Sequence, residues 1–169
     1  ITEPLLDKCW RKSQGHPLYL RYLLNQISAE GKIVLETLDD TLEEVDDYYT
    51  RIVGPLLEKS ALKDALGLMS RIAGTIKLED IRSLCSDDAI LDIRKKMWHL
   101  FRYDKAGQEL SFFHNSFRQF LLNKTAEDIL TGDICKEIEI KYYLRLSDYF
   151  KESWDRGYYL FNAEEYDQF

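Results

Sequence analysis

A histidine marks the point where a predicted strand turns into a predicted helix. Residues 110–112 alternate apolar and polar side chains, and the apolar positions 113, 117, 120 and 121 then follow the stripe of a helix packed on a core. His114 therefore lies at a helix N-terminus, where unpaired backbone N–H groups favour an anion. In either protonation state an imidazole can donate a hydrogen bond to a phosphate oxygen. The periodicity alone favours a plainer role, in which His114 caps its own helix or binds a backbone carbonyl.

The other chemically capable side chains form no catalytic or metal-binding pattern. His16 and His99 are far from His114 in sequence and give no metal-ligand spacing. Ser116 is too close to His114 along the chain for a nucleophile–base pair. The three cysteines include no CxxC, which indicates small buried apolar residues in a reducing compartment. We therefore expect no catalytic residue, no metal site and a cytoplasmic location.

Composition excludes several classes of function. The chain has 169 residues and a formal net charge of −7, which argues against broad binding of nucleic-acid phosphates. No apolar run is long enough to span a bilayer, and the first residues do not resemble a signal peptide, so we expect no membrane contact. Because the chain begins with Ile1 instead of Met, we expect it to be a fragment of a longer protein.

The periodicity of the first third predicts helices that meet at a tight corner. One helix is predicted over residues 3–13 and a second over 17–29. Between them, Gly15 can take the left-handed conformation that ends a helix, and Pro17 suits the first turn of the next one. After an extended link, a capping-box pattern at residues 41–44 predicts a helix that continues to about residue 57.

The middle of the chain predicts a winged helix. Helices are expected at 61–73, at 78–85 and from Ser86 or Asp87 to Trp98, followed by strands at 100–103 and 109–112 and a helix at 114–123. Residues 104–108 form a glycine-containing hairpin turn, the wing. A linker, a long helix at 134–152 and the start of another helix follow. The fold class is therefore mainly α. In the third helix the side chains expected to point inward are Ile90, Leu91, Ile93, Met97 and Trp98.

Two motifs resemble segments of the STAND signalling ATPases, the group that includes the NACHT and AP-ATPase families. Residues 12–23, KSQGHPLYLRYL, resemble the "GxP" segment of their helical lid. Residues 112–121, FFHNSFRQFL, are similar to the "FxHxSFxxFL" end of their winged-helix domain. The order and spacing of the motifs imply three parts: residues 1–40 as lid, 41–124 as winged helix, and 125–169 as linker and start of a helical sensor region.

The resemblance implies a nucleotide-sensing role for three residues. Pro17, with Gly15 before it, would pack near the nucleotide base, and His114 would reach the β-phosphate of ADP and hold a closed, autoinhibited monomer. Exchange of ADP for ATP, with Mg, would release the winged helix and permit oligomerisation and defence-type signalling. The partners implied are the NTPase core of the same protein, further copies of it, and an unknown ligand of the sensor region. Helix capping explains Gly15 and Pro17 equally well without a ligand.

Two other functions remain open at this stage. The chain lacks a Walker A or Walker B motif, so we expect no ATP hydrolysis by the fragment itself. A winged helix can also contact DNA through its third helix, which carries Arg94, Lys95 and Lys96. Asp87, Asp88 and Asp92 on the same helix favour a solvated mixed-charge face over DNA. A non-catalytic helical scaffold is the remaining alternative.

Overall fold

The computed structural model describes residues 3–13, 17, 19–21, 24, 45–128 and 130–165. By compactness the chain divides into two units, residues 1–54 and residues 55–169. The described part is mainly α-helical with one small antiparallel sheet, which confirms the predicted fold class. No helix among the described residues is long and apolar enough to cross a membrane. The three-part division at 40 and 124 stays a prediction.

The first unit contains helix α1 (Glu3–Ser13) and most of helix α2 (Val45–Leu57). Cys9 and Ser13 are the buried side of α1, whereas Leu6 and Trp10 are 48% and 59% exposed. The buried residues are four positions apart, so one narrow face of α1 is buried and the residues beside that face are exposed. Only residues 17, 19–21 and 24 of the predicted second helix are described, and they are helical. The predicted capping box at 41–44 lies outside the described residues.

The second unit has the element order and pairing of a winged helix. Strand β3 (Glu109–Phe112) lies between β1 (Ile76–Lys77) and β2 (Phe101–Tyr103) and runs antiparallel to both, with Leu110 opposite Ile76 and Tyr103. The hairpin of β2 and β3 is the predicted wing. The elements in order are α3 (Ser60–Arg71), β1 (Ile76–Lys77), α4 (Leu78–Leu84), α5 (Asp87–Asp92), β2 (Phe101–Tyr103), β3 (Glu109–Phe112) and α6 (Asn115–Ala126).

The wing turn is closed by one carboxylate. The backbone N–H groups of Gln108 and Glu109 donate to Asp104 Oδ1 at 2.7 and 2.9 Å, and that of Ala106 donates to Oδ2. These backbone hydrogen bonds, that of Glu109 foremost, hold the pKa of Asp104 below its ordinary value. Gly107 has a φ of 68°, a left-handed conformation that favours glycine. The sequence pattern predicted this hairpin correctly.

The third helix of the winged helix departs from the prediction. It is α-helical only through α5, continues as a π-helical turn (Ile93–Met97), and ends in a 3₁₀ turn (Trp98–Leu100). Leu91 and Trp98, expected inward, are 48% and 43% exposed. At about 100° per residue Leu91 is about 200° from Ala89 and Ile93, the buried positions, so it faces away from the core. The wider π-helical turn then displaces Trp98 from the predicted stripe.

Two C-terminal helices pack within the same unit. Helix α7 (Lys136–Tyr149) contacts α3, and helix α8 (Asp155–Asn162) contacts α7. Gly67 in α3 permits this approach, since a Cβ added there would lie within 3.0 Å of three atoms of the Tyr142 side chain. The core of the unit also takes buried residues from α3, α6 and α7, including Leu62, Leu66, Leu68, Met69, Phe117, Leu121 and Leu146.

A buried arginine joins three of these helices. The Arg71 side chain has no exposed surface, and its guanidinium pairs with Glu139 of α7. The same group donates to Thr125 Oγ1 at 2.9 Å and to the Leu122 carbonyl at 3.1 Å, both in the last turn of α6, and lies 4.5 Å from the centre of the Tyr142 ring. The last turns of α3 and α6 and the first turn of α7 are therefore held by one side chain.

Candidate functional site

His114 lies directly before α6, as predicted, and caps that helix with its own side chain. Its backbone is extended, with φ −141° and ψ 143°, and Nδ1 accepts a hydrogen bond from the Ser116 backbone N–H at 3.1 Å. The Ser116 hydroxyl also lies 2.7 Å from Nδ1. An Nδ1 that accepts a hydrogen bond requires the proton of a neutral imidazole to be on Nε2. The capping role and an exposed imidazole therefore occur together in one residue.

An aromatic cluster fixes the start of α6 against the wing. Phe117, fully buried, lies edge-on to Phe101 of β2 and Phe112 of β3, with ring centres 5.8 Å apart in both pairs. The Phe113 backbone N–H donates to the Leu100 carbonyl at 2.9 Å, which extends the pairing of β3 by one residue. Because the strand and the first helical turn share this cluster, the position of His114 is set by the core.

Helix α6 is also held in its first turn and near its C-terminal end. Arg118 Nε donates to the Ser70 carbonyl at 2.7 Å, near the end of α3. Arg71 contacts the last turn of α6, as described above. Both arginines thus connect α3 to α6. Hydrogen bonds donated by a charged guanidinium are stronger than hydrogen bonds between neutral groups. The helix that begins at His114 is therefore fixed near both of its ends.

The other two predicted site residues, Gly15 and Pro17, belong to the first compact unit. Pro17 is helical and exposed, and Gly15 lies outside the described residues. Pro17 and His114 belong to different compact units. Nothing in the described residues therefore tests the base-contacting role expected of Gly15 and Pro17, which stays a prediction.

Arg102 is a cation near this junction that the sequence reasoning passed over. Its guanidinium carbon lies 4.8 Å from the centre of the Phe113 ring, the residue before His114, and the side chain is exposed. The sequence could have indicated Arg102, because it lies on a predicted wing strand, and that strand pairs with the strand leading into α6. An imidazole, a helix N-terminus and a nearby guanidinium are all groups that favour binding of a phosphate.

Among the described residues no cluster of three or more His, Cys, Asp or Glu side chains could hold a metal ion. Of the contacts with a nucleotide that the resemblance implies, the one assigned to His114 is the one that falls at this junction. With Nδ1 accepting from Ser116, the N–H of a neutral imidazole is on Nε2, and an N–H donor suits a phosphate oxygen as acceptor. The junction is thus equipped to bind an anion.

Comparisons of the chain with protein-family models, with curated proteins and with solved structures find no match. The resemblance to STAND ATPases therefore depends on the two sequence motifs.

Proposed function

We propose that this chain is the regulatory part of a STAND-class signalling NTPase, with the winged helix acting as the latch of the ADP-bound state. One observation carries the proposal: an exposed histidine caps the helix that directly follows the wing. That is the position in which the motif resemblance requires a phosphate-contacting histidine. The winged-helix element order around it supports the same assignment.

The latch works through one hydrogen bond made in only one nucleotide state. His114 Nδ1 is anchored by the Ser116 N–H, so that Nε2 donates to the β-phosphate of ADP bound to the NTPase core. A charge-assisted bond of this kind contributes about 1.5–3 kcal/mol, which biases a two-state equilibrium by about tenfold to a hundredfold. Loss of the contact on ATP exchange frees the winged helix and allows copies of the protein to oligomerise and signal from the cytoplasm.

The test separates the sensing role of His114 from its capping role. Asparagine is among the best N-cap residues, so His114→Asn keeps the cap of α6 but removes the imidazole. In the full protein we expect His114→Asn and His114→Ala to release ADP about tenfold or more faster and to oligomerise without a stimulus. Stopped-flow release of a fluorescent ADP and light scattering measure the two effects.

A neighbouring substitution serves as the control. Asn115 is exposed and begins α6, so Asn115→Ala should leave ADP release and oligomeric state unchanged. If His114→Asn retains ADP as the unmodified protein does, the imidazole only caps the helix and the proposed latch is rejected.

A further inference from the structure

The third helix of the winged helix presents an apolar and cationic surface that nothing in the proposed latch uses. We call it the α5 face, formed by Leu91 of α5, by Arg94 and Lys95 of the π-helical turn that continues α5, and by Trp98 of the 3₁₀ turn. All four residues are exposed, the two apolar ones by 48% and 43%. An exposed leucine and an exposed tryptophan on the same helical segment as two cations form a mixed surface of the kind found in protein interfaces.

The tryptophan of this face is held in place before any partner arrives. Its ring stacks on Tyr103 of β2, with ring centres 3.4 Å apart and planes 15° from parallel. The Arg94 guanidinium carbon lies 5.6 Å from the centre of the Trp98 ring. Because the indole is fixed by the wing, binding to it costs little side-chain entropy, as expected of an anchor residue.

The charge of the α5 face is not neutralised within the described part of the chain. Lys59 and Lys96 share the carboxylate of Asp92, with N–O distances of 2.6 and 3.0 Å. Arg94 and Lys95 form no ion pair with any residue that the structure describes. The π-helical turn keeps both of them on the solvent side. A π-helical turn is costly and frequently accompanies a functional surface.

Charge distribution along the helix opposes DNA as the ligand. A winged or helix-turn-helix protein contacts base edges through the N-terminal part of this helix. Here that part carries Asp87 and Asp88, both exposed, which would repel phosphates. Positive charge begins only at Arg94. We therefore propose that the α5 face docks an acidic amphipathic helix of a partner protein, with apolar side chains against Leu91 and Trp98 and carboxylates against Arg94 and Lys95.

A designed peptide tests the proposal directly. The probe is a fluorescein-labelled helical peptide with leucines along one face and glutamates beside them, and the comparison peptide carries lysines in place of the glutamates. By fluorescence anisotropy we expect the chain to bind the glutamate peptide, to bind the lysine peptide at least about tenfold more weakly, and to lose affinity with added salt. Lys95→Glu and Leu91→Ser should each weaken the glutamate peptide about tenfold.

Matched measurements decide between this surface and others. Lys141 is an exposed lysine of α7, and Lys141→Glu should leave the affinity unchanged. Circular dichroism verifies that each variant is folded. The proposal is overturned if the glutamate peptide does not bind, if Lys141→Glu weakens it as much as Lys95→Glu, or if a labelled DNA duplex binds more tightly than the peptide and loses affinity in Lys95→Glu.

Discussion

Removing the carboxylate of Glu139 tests how the second compact unit is held together. Glu139→Ala leaves the Arg71 guanidinium inside the protein without its counter-charge. Arg71 is fully buried, whereas Glu139 is 24% exposed. Breaking a buried ion pair from one side costs about 3–5 kcal/mol, because the remaining charge is not compensated. The bonds from Arg71 to Leu122 and Thr125 persist, and water can enter from the open side of Glu139. We therefore expect a loss of about 3 kcal/mol, the lower end of that range.

The cost of Glu139→Ala should depend on whether Arg71 is present, which a double-mutant cycle measures. Arg71→Met fills a similar volume without a charge, and the remaining Glu139 carboxylate can be hydrated at its exposed edge. In the Arg71→Met background, Glu139→Ala should therefore cost less than about 0.5 kcal/mol, as for an ordinary surface substitution. The coupling energy between the two sites is then about 2.5 kcal/mol.

Urea unfolding followed by circular dichroism measures each free energy of unfolding, and equal m-values show that the same surface is exposed. The reasoning is refuted if Glu139→Ala costs under about 1 kcal/mol, or if it costs the same with Arg71 and with Met at that position. Either result would mean that α7 is held without the buried charge.

Two further predictions concern the packing of α7 and the wing turn. Gly67→Ala should destabilise the chain by about 1–3 kcal/mol in urea unfolding, because the new methyl group meets the Tyr142 ring; in a Tyr142→Ala background that penalty should vanish, and a penalty that persists would contradict the steric cause. The carboxyl of Asp104 should titrate below the ordinary aspartate pKa of about 3.9, since backbone N–H groups, that of Glu109 foremost, bind its ionised form. Its contribution to hairpin stability is complete above the unfolded pKa and is lost as pH falls through the folded pKa. Carbon-detected NMR titration and hydrogen exchange of the Glu109 amide measure both, and a midpoint at or above the unfolded value would contradict the prediction.

The winged helix could be predicted because its signals are local. Apolar periodicity placed α3 and α6, and a glycine-containing turn between alternating segments placed the wing. His114 was expected at the start of a helix and lies there. These features depend on residues within one or two turns of each other, so one sequence contains the information.

The features that sequence reasoning missed depend on distant partners. Arg71 resembles an ordinary exposed arginine in the last turn of a helix, and its burial depends on partners more than fifty residues away, such as Thr125 and Glu139. In the sequence, Gly67 resembles a destabilising glycine inside a helix, and only the close approach of the Tyr142 side chain explains it. Trp98 was expected inward because one continuous α-helix was assumed, and periodicity carries no signal for a π-helical turn. Leu91 lies in the α-helical part and faces outward by ordinary α-helical geometry.

Helix α6 connects the proposed latch to the buried arginine. It has 12 residues, about 18 Å at 1.5 Å each, with His114 before its first turn and the contacts of Arg71 in its last. Arg118 ties its first turn to the end of α3. A displacement of the His114 end alone would break these charge-assisted bonds inside a packed core, whereas movement of residues 55–169 together would break none of them. In the proposed latch, loss of the phosphate contact therefore moves α6 and α7 as one body.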